Sequence, residues 1–548
     1  MNFLENIFAQ LEKAHDKPLL EEIQAPQARV VTGSELLEAV ARARAFLSTQ
    51  GLRKGDRCAL LGHNSISWVV MDLAMMAEGL IVVPLYARQA PEELVTMMKD
   101  CQPSLVCCGD ANLRDAIRRR WPDAPDLVLF DQVLANKSST AGDSGLAETD
   151  PVTIIYTSGT SGEAKGVVLT AGNIGHMLGC TSARLDQLIG GQRQQDQVFH
   201  YLPFCFAGSW IMLLTCLLRA SRLKLNTDLT KIAGDMRSAE PDYFLNVPAL
   251  LERMRKAVDE QLWKTGGAAL ALYRRAKGAW ARKNDGHPRF LDAMWLRLAD
   301  SLVFPTIRNK MIGRNLKALI CGSAPLNVET QLFFMMLGLR VLQVYGLTET
   351  TAICTMDDPN HVVPGRVGPA IQGIEMRLAE NDEIVVRGPN IFPGYWNRPE
   401  ETAKVLRDGW FHSGDQGEQD QNGNWRIIGR IKNLIILGSG HNIAPEPIEE
   451  KLLEEISGAQ QVVLVGNGKG YLSAIVTGDV SEIKVQEAIE RVNSSLPHYK
   501  QVRAFHVRRE PFTIENGFLT ANGKLKRDLI AIELKDEIED LYAARQAS

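Results

Sequence analysis

The sequence predicts an α/β protein: a large N-terminal domain of βαβ-type sheets with a small antiparallel β subdomain, then a small α+β C-terminal domain. Three observations carry this reading. Short β-branched runs alternate with longer helical patterns along most of the chain. From about residue 365 to 430 the texture changes to short alternating strands and turns, IEMRLAENDEIVVRG and NWRIIGR, and after Arg430 a new small unit begins. At 548 residues the chain also exceeds the size at which a single core stops growing.

In order, RCALLGHN, a helix near 66–79, LIVVPLY, a helix near 91–100 and SLVCCGD form βαβ units with a mainly parallel sheet. After residue 150, IIYTSG, RLKLNT, YFLNV, LKALICG and VLQVYG are candidate strands. They run into Gly, Asn or Thr, and such strand ends are where open α/β sheets place ligands. The C-terminal unit reads as a helix from about 445 to 456, a hairpin turning at Asn467-Gly468, a helix near 481–496 and a polar loop near 520. The domains are therefore expected at 1–430 and 431–548.

Composition excludes several classes. With 45% hydrophobic and 23% charged residues and a net charge of −4, the chain is neither disordered nor a nucleic-acid binder by global charge. Nine scattered cysteines without a C-x-x-C pair point to a reduced, cytoplasmic protein without structural zinc. The N-terminus lacks a basic region followed by an apolar run, so no secretory signal is expected, and no apolar stretch is long enough for a transmembrane helix. Residues 251–310 stand apart, with 13 Lys/Arg against 6 Asp/Glu and Trp263, Tyr273, Trp280 and Trp295 interleaved. A solvated helical insertion and a peripheral membrane contact both account for that composition.

The stretch Y156-T-S-G-T-S-G-E-A-K-G-V-V-L-T170 offers backbone N–H groups, hydroxyls and one lysine to a phosphate. It is not a P-loop: from Gly159 it reads G-T-S-G-E-A-K-G, with Ala164 in place of the second glycine and Gly166 after the lysine. It is not a nucleophile elbow either, because Gly162 follows Ser161 directly. Taken alone, a flexible surface loop fits as well as a phosphate cradle.

The stretch resembles the phosphate-binding signature of the adenylate-forming superfamily of acyl-CoA synthetases, luciferases and peptide-synthetase adenylation domains. Further signatures follow in that family's order: G322-S-A-P-L326, V344-Y-G-L-T-E-T350, G409-W-F-H-S-G-D415, G429-R-I-K432 and N522-G-K524. The resemblance covers nearly the whole chain. It implies attack of a carboxylate on the α-phosphate of ATP to give an acyl-adenylate and pyrophosphate, then displacement of AMP by a thiol.

The resemblance also implies roles for particular residues. Thr157, Ser158, Gly159, Thr160, Ser161, Gly162 and Lys165 would cradle the β- and γ-phosphates. Glu349 would bind Mg2+, Thr348 would contact phosphate, and Tyr345, followed by Gly346, would stack on adenine. Gly322, Ser323, Ala324 and Pro325 would let backbone approach the adenine plane. Asp415 would clamp the ribose and Arg430 would reach ribose or phosphate. Lys524, carried by the mobile small domain, would be the catalytic lysine, with Lys526 its nearby competitor. Lys432 would be the hinge, and Gly440 would border the tunnel for CoA.

One position departs from the family pattern: L202-P-F-C-F206 has Phe206 where the family commonly has histidine, which bears on how the acid is placed. F512-T-I-E-N-G-F-L-T520, L434-I-I-L-G-S-G-H-N-I-A-P445 and the position of the 251–310 insertion resemble the long-chain acyl-CoA synthetase branch. The expected substrates are a medium- to long-chain fatty acid, ATP and CoA. A ligase loading a carrier protein, one taking an aryl acid, and a non-catalytic nucleotide-binding scaffold are the alternatives. Apolar residues from Phe204 to Leu214 suit an alkyl tunnel or a core helix.

Overall fold

The first βαβ runs of the sequence fold into one parallel sheet, with Arg57–Gly62 between Ile81–Tyr86 and Leu105–Cys108, and their helices are capped where a polar residue precedes them. Ser65 Oγ accepts the Trp68 N–H at the start of helix Ile66–Ala77, and Asp110 accepts the Leu113 N–H at the start of Ala111–Arg120. Helix Ile66–Ala77 is apolar apart from Ser67 and Asp72, and every residue in it but Ser67 is buried. The computed structural model describes all residues except 24–27, 140–144, 159–163, 191–194, 285, 521–522 and 544–548.

The described residues form two compact units. The first comprises Met1–Glu375, Val386–Phe411 and Asp420–Trp425. One of its sheets runs in the order Gly394–Tyr395, Ala164–Thr170, Pro151–Ser158, Ile81–Tyr86, Arg57–Gly62, Leu105–Cys108, Asp126–Leu129. Its strands are parallel from Pro151–Ser158 onward and antiparallel at the other edge. The second sheet runs Thr355–Met356, Arg340–Tyr345, Ala318–Cys321, Tyr243–Asn246, Gln197–His200, Arg222–Asn226, Pro18–Ile23, Arg29–Thr32, parallel except at its two ends. Sequence order hides this division, because the early segment Pro18–Ile23 joins the later sheet.

The second unit comprises Met376–Val385, His412–Gln419 and Arg426–Ser548. Glu375–Leu378 and Glu383–Arg387 are joined by four residues, too few for the crossover that parallel pairing requires, so they form a hairpin. Farther along, Ala459–Val465, Leu472–Gly478 and Val502–Arg508 form a three-stranded sheet. Helices Glu446–Glu455 and Glu482–Asn493 pack on it around Leu452, Leu464, Val476 and Ile489.

The described part of residues 248–311 holds four helices, Pro248–Thr265, Gly267–Asn284, Asp292–Leu302 and Phe304–Met311. The interleaved aromatics do not share one exposed face. Tyr273 is buried and donates to Asp259 Oδ1 at 2.7 Å, Trp280 packs against the core, and Trp263 is exposed. All nine cysteines are unpaired and all but Cys180 are buried; burial pushes the Cys58 thiol up to about 12. Among the described residues no helix is long and apolar enough to cross a membrane.

Candidate active site

The glycine- and hydroxyl-rich stretch closes an antiparallel hairpin of Pro151–Ser158 and Ala164–Thr170, with Thr157 opposite Lys165 and Ser158 opposite Ala164. Gly159, Thr160, Ser161 and Gly162 lie outside the described residues. A P-loop joins a strand to a helix; this loop joins two strands, which agrees with the failed motif match. Gly166 is required here, since a Cβ would meet Ile154 Cγ2 at 2.6 Å.

The short strand Gly394–Tyr395 adds to the hairpin edge, Tyr395 opposite Val167, and Trp396 N–H donates to Gly166 O at 2.8 Å. Asn173 secures the approach to this strand. It closes a capping box with Thr170 and donates through Nδ2 to the carbonyls of Pro389 and Ile391, at 2.7 and 3.0 Å. Tyr395 is thereby fixed beside Lys165. The Lys165 ammonium sits 2.5 Å from Glu401 Oε2 and 5.3 Å from the Tyr395 ring centroid. Glu401 also pairs with Lys404, and the hydrogen bonds from Lys165 and Lys404 pull its carboxyl down to about 2.

The Arg340–Tyr345 strand ends in a tight turn. A Cβ at Gly346 would fall 2.3 Å from Ala352 O, so only glycine admits the returning chain. A short 3-10 turn, Thr348–Thr350, then presents the half-buried Thr348 and Glu349. Glu349 O accepts the Phe392 N–H at 2.9 Å, and Glu349 Oε1 accepts the Tyr395 hydroxyl at 2.8 Å. Tyr345 is half-buried on the same strand end. Gly322 lies against the neighbouring strand, where a Cβ would meet Val344 Cγ2 at 2.6 Å. Ser323, Ala324 and Pro325 follow as an exposed turn, Ser323 with φ +74°.

Within the first unit, the fold thus brings Lys165 and Glu349 to the two sides of one tyrosine. Among the described residues no group of three or more His, Cys, Asp or Glu could hold a metal ion. Magnesium keeps much of its shell as water and phosphate oxygen and needs only one or two carboxylates, so Glu349 with the Thr348 hydroxyl fits it.

In the second unit Asp415 lies within strand Trp410–Gln419, buried, and pairs with Arg430 Nε at 2.6 Å. This strand position excludes the local turn that a Gly-Asp pair alone would suggest. Ser413 fixes the strand by donating to Ile384 O at 2.6 Å and accepting the Asp415 N–H at 3.0 Å. Lys432 follows in a 3-10 turn, its ammonium lowered by burial and then by Arg430. Gly440, exposed at φ +83°, turns the Ile435–Ile436/Asn442–Ile443 hairpin. Lys524 is exposed beyond a turn in which its N–H meets Thr520 Oγ1 at 3.1 Å and its carbonyl accepts the Thr520 N–H at 2.8 Å.

Sequence reasoning missed Tyr395 and Glu401, both in G394-Y-W-N-R-P-E-E-T402. It also missed Asp100, which accepts from Tyr156 Oη at 2.6 Å and Arg398 Nη2 at 2.8 Å and so ties this segment to the hairpin. The one local signal was an aromatic Gly turn before a Pro-led helix, Pro399–Val405, which says nothing about distant partners. Phe206 caps helix Ala207–Leu218 with its ring 5.7 Å from Tyr86. That helix is a core helix, buried almost throughout. Just before it, the buried His200 places Nε2 2.7 Å from Ser209 Oγ and 2.8 Å from Leu202 O, and desolvation lowers its imidazole to about 4, so it is neutral.

Two mixed sheets with a lysine hairpin beside a Thr-Glu turn, and an α+β unit with a lysine turn, define an α/β nucleotide enzyme architecture. The chain belongs to the AMP-binding enzyme family, which matches residues 7–396, and the AMP-binding enzyme C-terminal domain matches residues 432–546. Within this adenylate-forming superfamily it resembles the long-chain acyl-CoA synthetase branch. A long-chain-fatty-acid–CoA ligase of Mycobacterium bovis is 26% identical, over 93% of this chain and 92% of that protein. Long chain acyl-CoA synthetase 3 of Arabidopsis thaliana is 26% identical, over 97% and 90%. The crystal structure of ATP-bound MatB from Rhodopseudomonas palustris matches with a TM-score of 0.74 at 25% identity, over 98% of this chain and 99% of that one.

Proposed function

We propose that this protein is an ATP- and CoA-dependent acid–thiol ligase that activates a medium- to long-chain fatty acid. The observation that carries the reading is the Lys165–Tyr395–Glu349 arrangement on the phosphate-type hairpin, in a chain whose full-length relatives are named long-chain acyl-CoA ligases. In the first half-reaction the carboxylate oxygen forms a bond to the α-phosphorus and the bond to pyrophosphate breaks. In the second, the CoA sulfur bonds to the acyl carbon, AMP leaves and the thiol proton is released.

Both reacting partners of the first step are anions, so cations must offset charge at the phosphates. Lys165 with the hairpin loop serves the leaving pyrophosphate, and Lys524 serves the carboxylate and α-phosphate. Magnesium, held through Glu349 and Thr348, would neutralise phosphate charge. Tyr345 and the Gly322–Pro325 turn accommodate adenine; Asp415 with Arg430 accepts the ribose. We assign nucleotide and acid binding to residues 1–430 and the Lys524-bearing function to 431–548. Lys432 is the hinge and Gly440 borders the CoA path. Nine unpaired thiols support a reducing, cytoplasmic setting.

The test is AMP release by the purified protein with ATP, magnesium, CoA and a panel of acids. CoA-dependent AMP release is expected with medium- to long-chain fatty acids. AMP release with aryl acids alone, or acyl transfer to a phosphopantetheinyl carrier protein and not to CoA, would overturn the assignment.

A further inference from the structure

Helix Asp292–Leu302 turns its apolar side outward. Leu291, Met294, Leu298 and Leu302 recur at spacings of three, four and four, which sets them on one helical stripe, and all four are exposed, Leu302 at 67%. Phe290, 97% exposed, immediately precedes the stripe. A stripe with this period ordinarily faces a core. Here the packed side is a different one, formed by Ala299, fully buried, and by Asp292, which is buried and paired with Arg282. Five large apolar side chains together exceed the scattered exposure expected of a free surface.

The neighbouring helix Gly267–Asn284 supplies the charge. Arg274, Arg275, Lys277 and Lys283 are exposed, and Arg289 and Arg297 flank the stripe. The Arg274 guanidinium lies 4.1 Å from the centroid of Trp263, itself 60% exposed, and Arg275 lies 4.6 Å from that of Trp295. Cations are thus held beside apolar rings. Of the acidic side chains on the stripe-bearing helix, Asp292 is buried against Arg282 and Asp300 is paired with Arg308. The face therefore combines an apolar stripe with a surplus of positive charge, the two properties that seat a helix at an anionic lipid interface.

We propose that the exposed stripe Leu291–Leu302, with Phe290 at its head and the cations Arg275, Arg289 and Arg297 beside it, docks this protein on an anionic lipid surface. A second copy of the chain fits less well, because pairing the face with itself would bring like charges together. The proposal does not depend on the fatty-acid assignment. If that assignment holds, the surface places the enzyme where long-chain acids partition.

The test is flotation of the full-length protein with phosphatidylcholine vesicles, with and without phosphatidylglycerol. Binding is expected only with the anionic lipid and should fall as salt rises. Leu298→Glu/Leu302→Glu should lower binding by about tenfold or more, and Arg289→Glu/Arg297→Glu, which leaves the stripe intact, should do the same. Unchanged thermal unfolding of each variant separates lost docking from lost folding. Equal binding to neutral vesicles, unchanged binding of both variants, or concentration-dependent dimerisation abolished by Leu298→Glu/Leu302→Glu would overturn the proposal.

Discussion

The Tyr395 hydroxyl donates to Glu349 Oε1 at 2.8 Å while the same ring faces the Lys165 ammonium 5.3 Å from its centroid. One side chain therefore orients both an acid and a cation, and its own position is set by pairing to the hairpin edge at Val167. Tyr395→Phe keeps the ring and removes only the bond to Glu349. A hydrogen bond to a charged group contributes about 1.5–3 kcal/mol, so a roughly tenfold or greater loss of adenylation is expected, with a higher magnesium requirement. ATP–pyrophosphate exchange across a magnesium titration checks this. An unchanged magnesium dependence would show that Tyr395 does not position Glu349.

Lys165 cannot meet a phosphate and keep Glu401 on equal terms. Because Glu401 is held down to about 2, it stays ionised at every working pH, and under the proposed role of Lys165 it would compete with nucleotide for the ammonium throughout. Glu401→Gln should therefore lower the KM for ATP several-fold, whereas Lys165→Ala should raise it. Should Glu401→Gln raise the KM instead, Glu401 would be holding Lys165 in its working position.

Many of the strands and the order of the motifs were legible because strand period and β-branched runs are local signals, whereas the division of strands between the two sheets was not, since Pro18–Ile23 joins the later one. The strand Ala164–Thr170 was not: a lysine and a required glycine interrupt its apolar run, so it read as loop. Nor could sequence show that Tyr395 meets Glu349, 46 positions away, or that Glu401 meets Lys165, since no pattern marks a long-range pair. Asp415, Arg430 and Lys524 were singled out through motif resemblance alone. The 251–310 segment gave its charge from composition, yet the exposed stripe at 291–302 carries the period of a core-facing helix and only its packing reveals which way it points.

Asp72 makes stability pH-dependent. It is fully buried in helix Ile66–Ala77, accepts the Trp210 Nε1–H at 2.8 Å, and leaves Oδ1 without a hydrogen bond. Desolvation raises its carboxyl to about 7, while an unfolded chain ionises near 4. Between those values the folded state holds a proton that the unfolded state has released, so stability falls as pH rises from about 4 through about 7, by at most ~1.4 kcal/mol per pH unit. Asp357, buried and raised to about 8 for the same reason, acts in the same direction. Asp72→Asn should flatten the curve in that window and be the more stable form above pH 8. Urea unfolding midpoints across pH 5 to about 8.5 decide it; parallel curves for the two proteins would rule Asp72 out.

Arg527 opens the helix that follows Lys524 and forms a two-pronged pair with Glu449, Nη1 to Oε1 at 2.7 Å, while Glu449 Oε1 also accepts the Leu464 N–H at 2.7 Å. One buried carboxylate thus ties the Lys524-bearing segment to helix Glu446–Glu455 and to strand Ala459–Val465. Arg527→Met strands that carboxylate in the core, and breaking one side of a buried pair costs about 3–5 kcal/mol. Arg527→Lys keeps the charge but loses the fork and should cost less. Adding Glu449→Gln to Arg527→Met should recover part of the loss, because glutamine removes the charge and keeps an acceptor for Leu464. Denaturant unfolding with hydrogen exchange at residues 446–465 measures all three. If the pair only decorates the surface, Arg527→Met will leave exchange in that segment unchanged, and the second variant will then have nothing to restore.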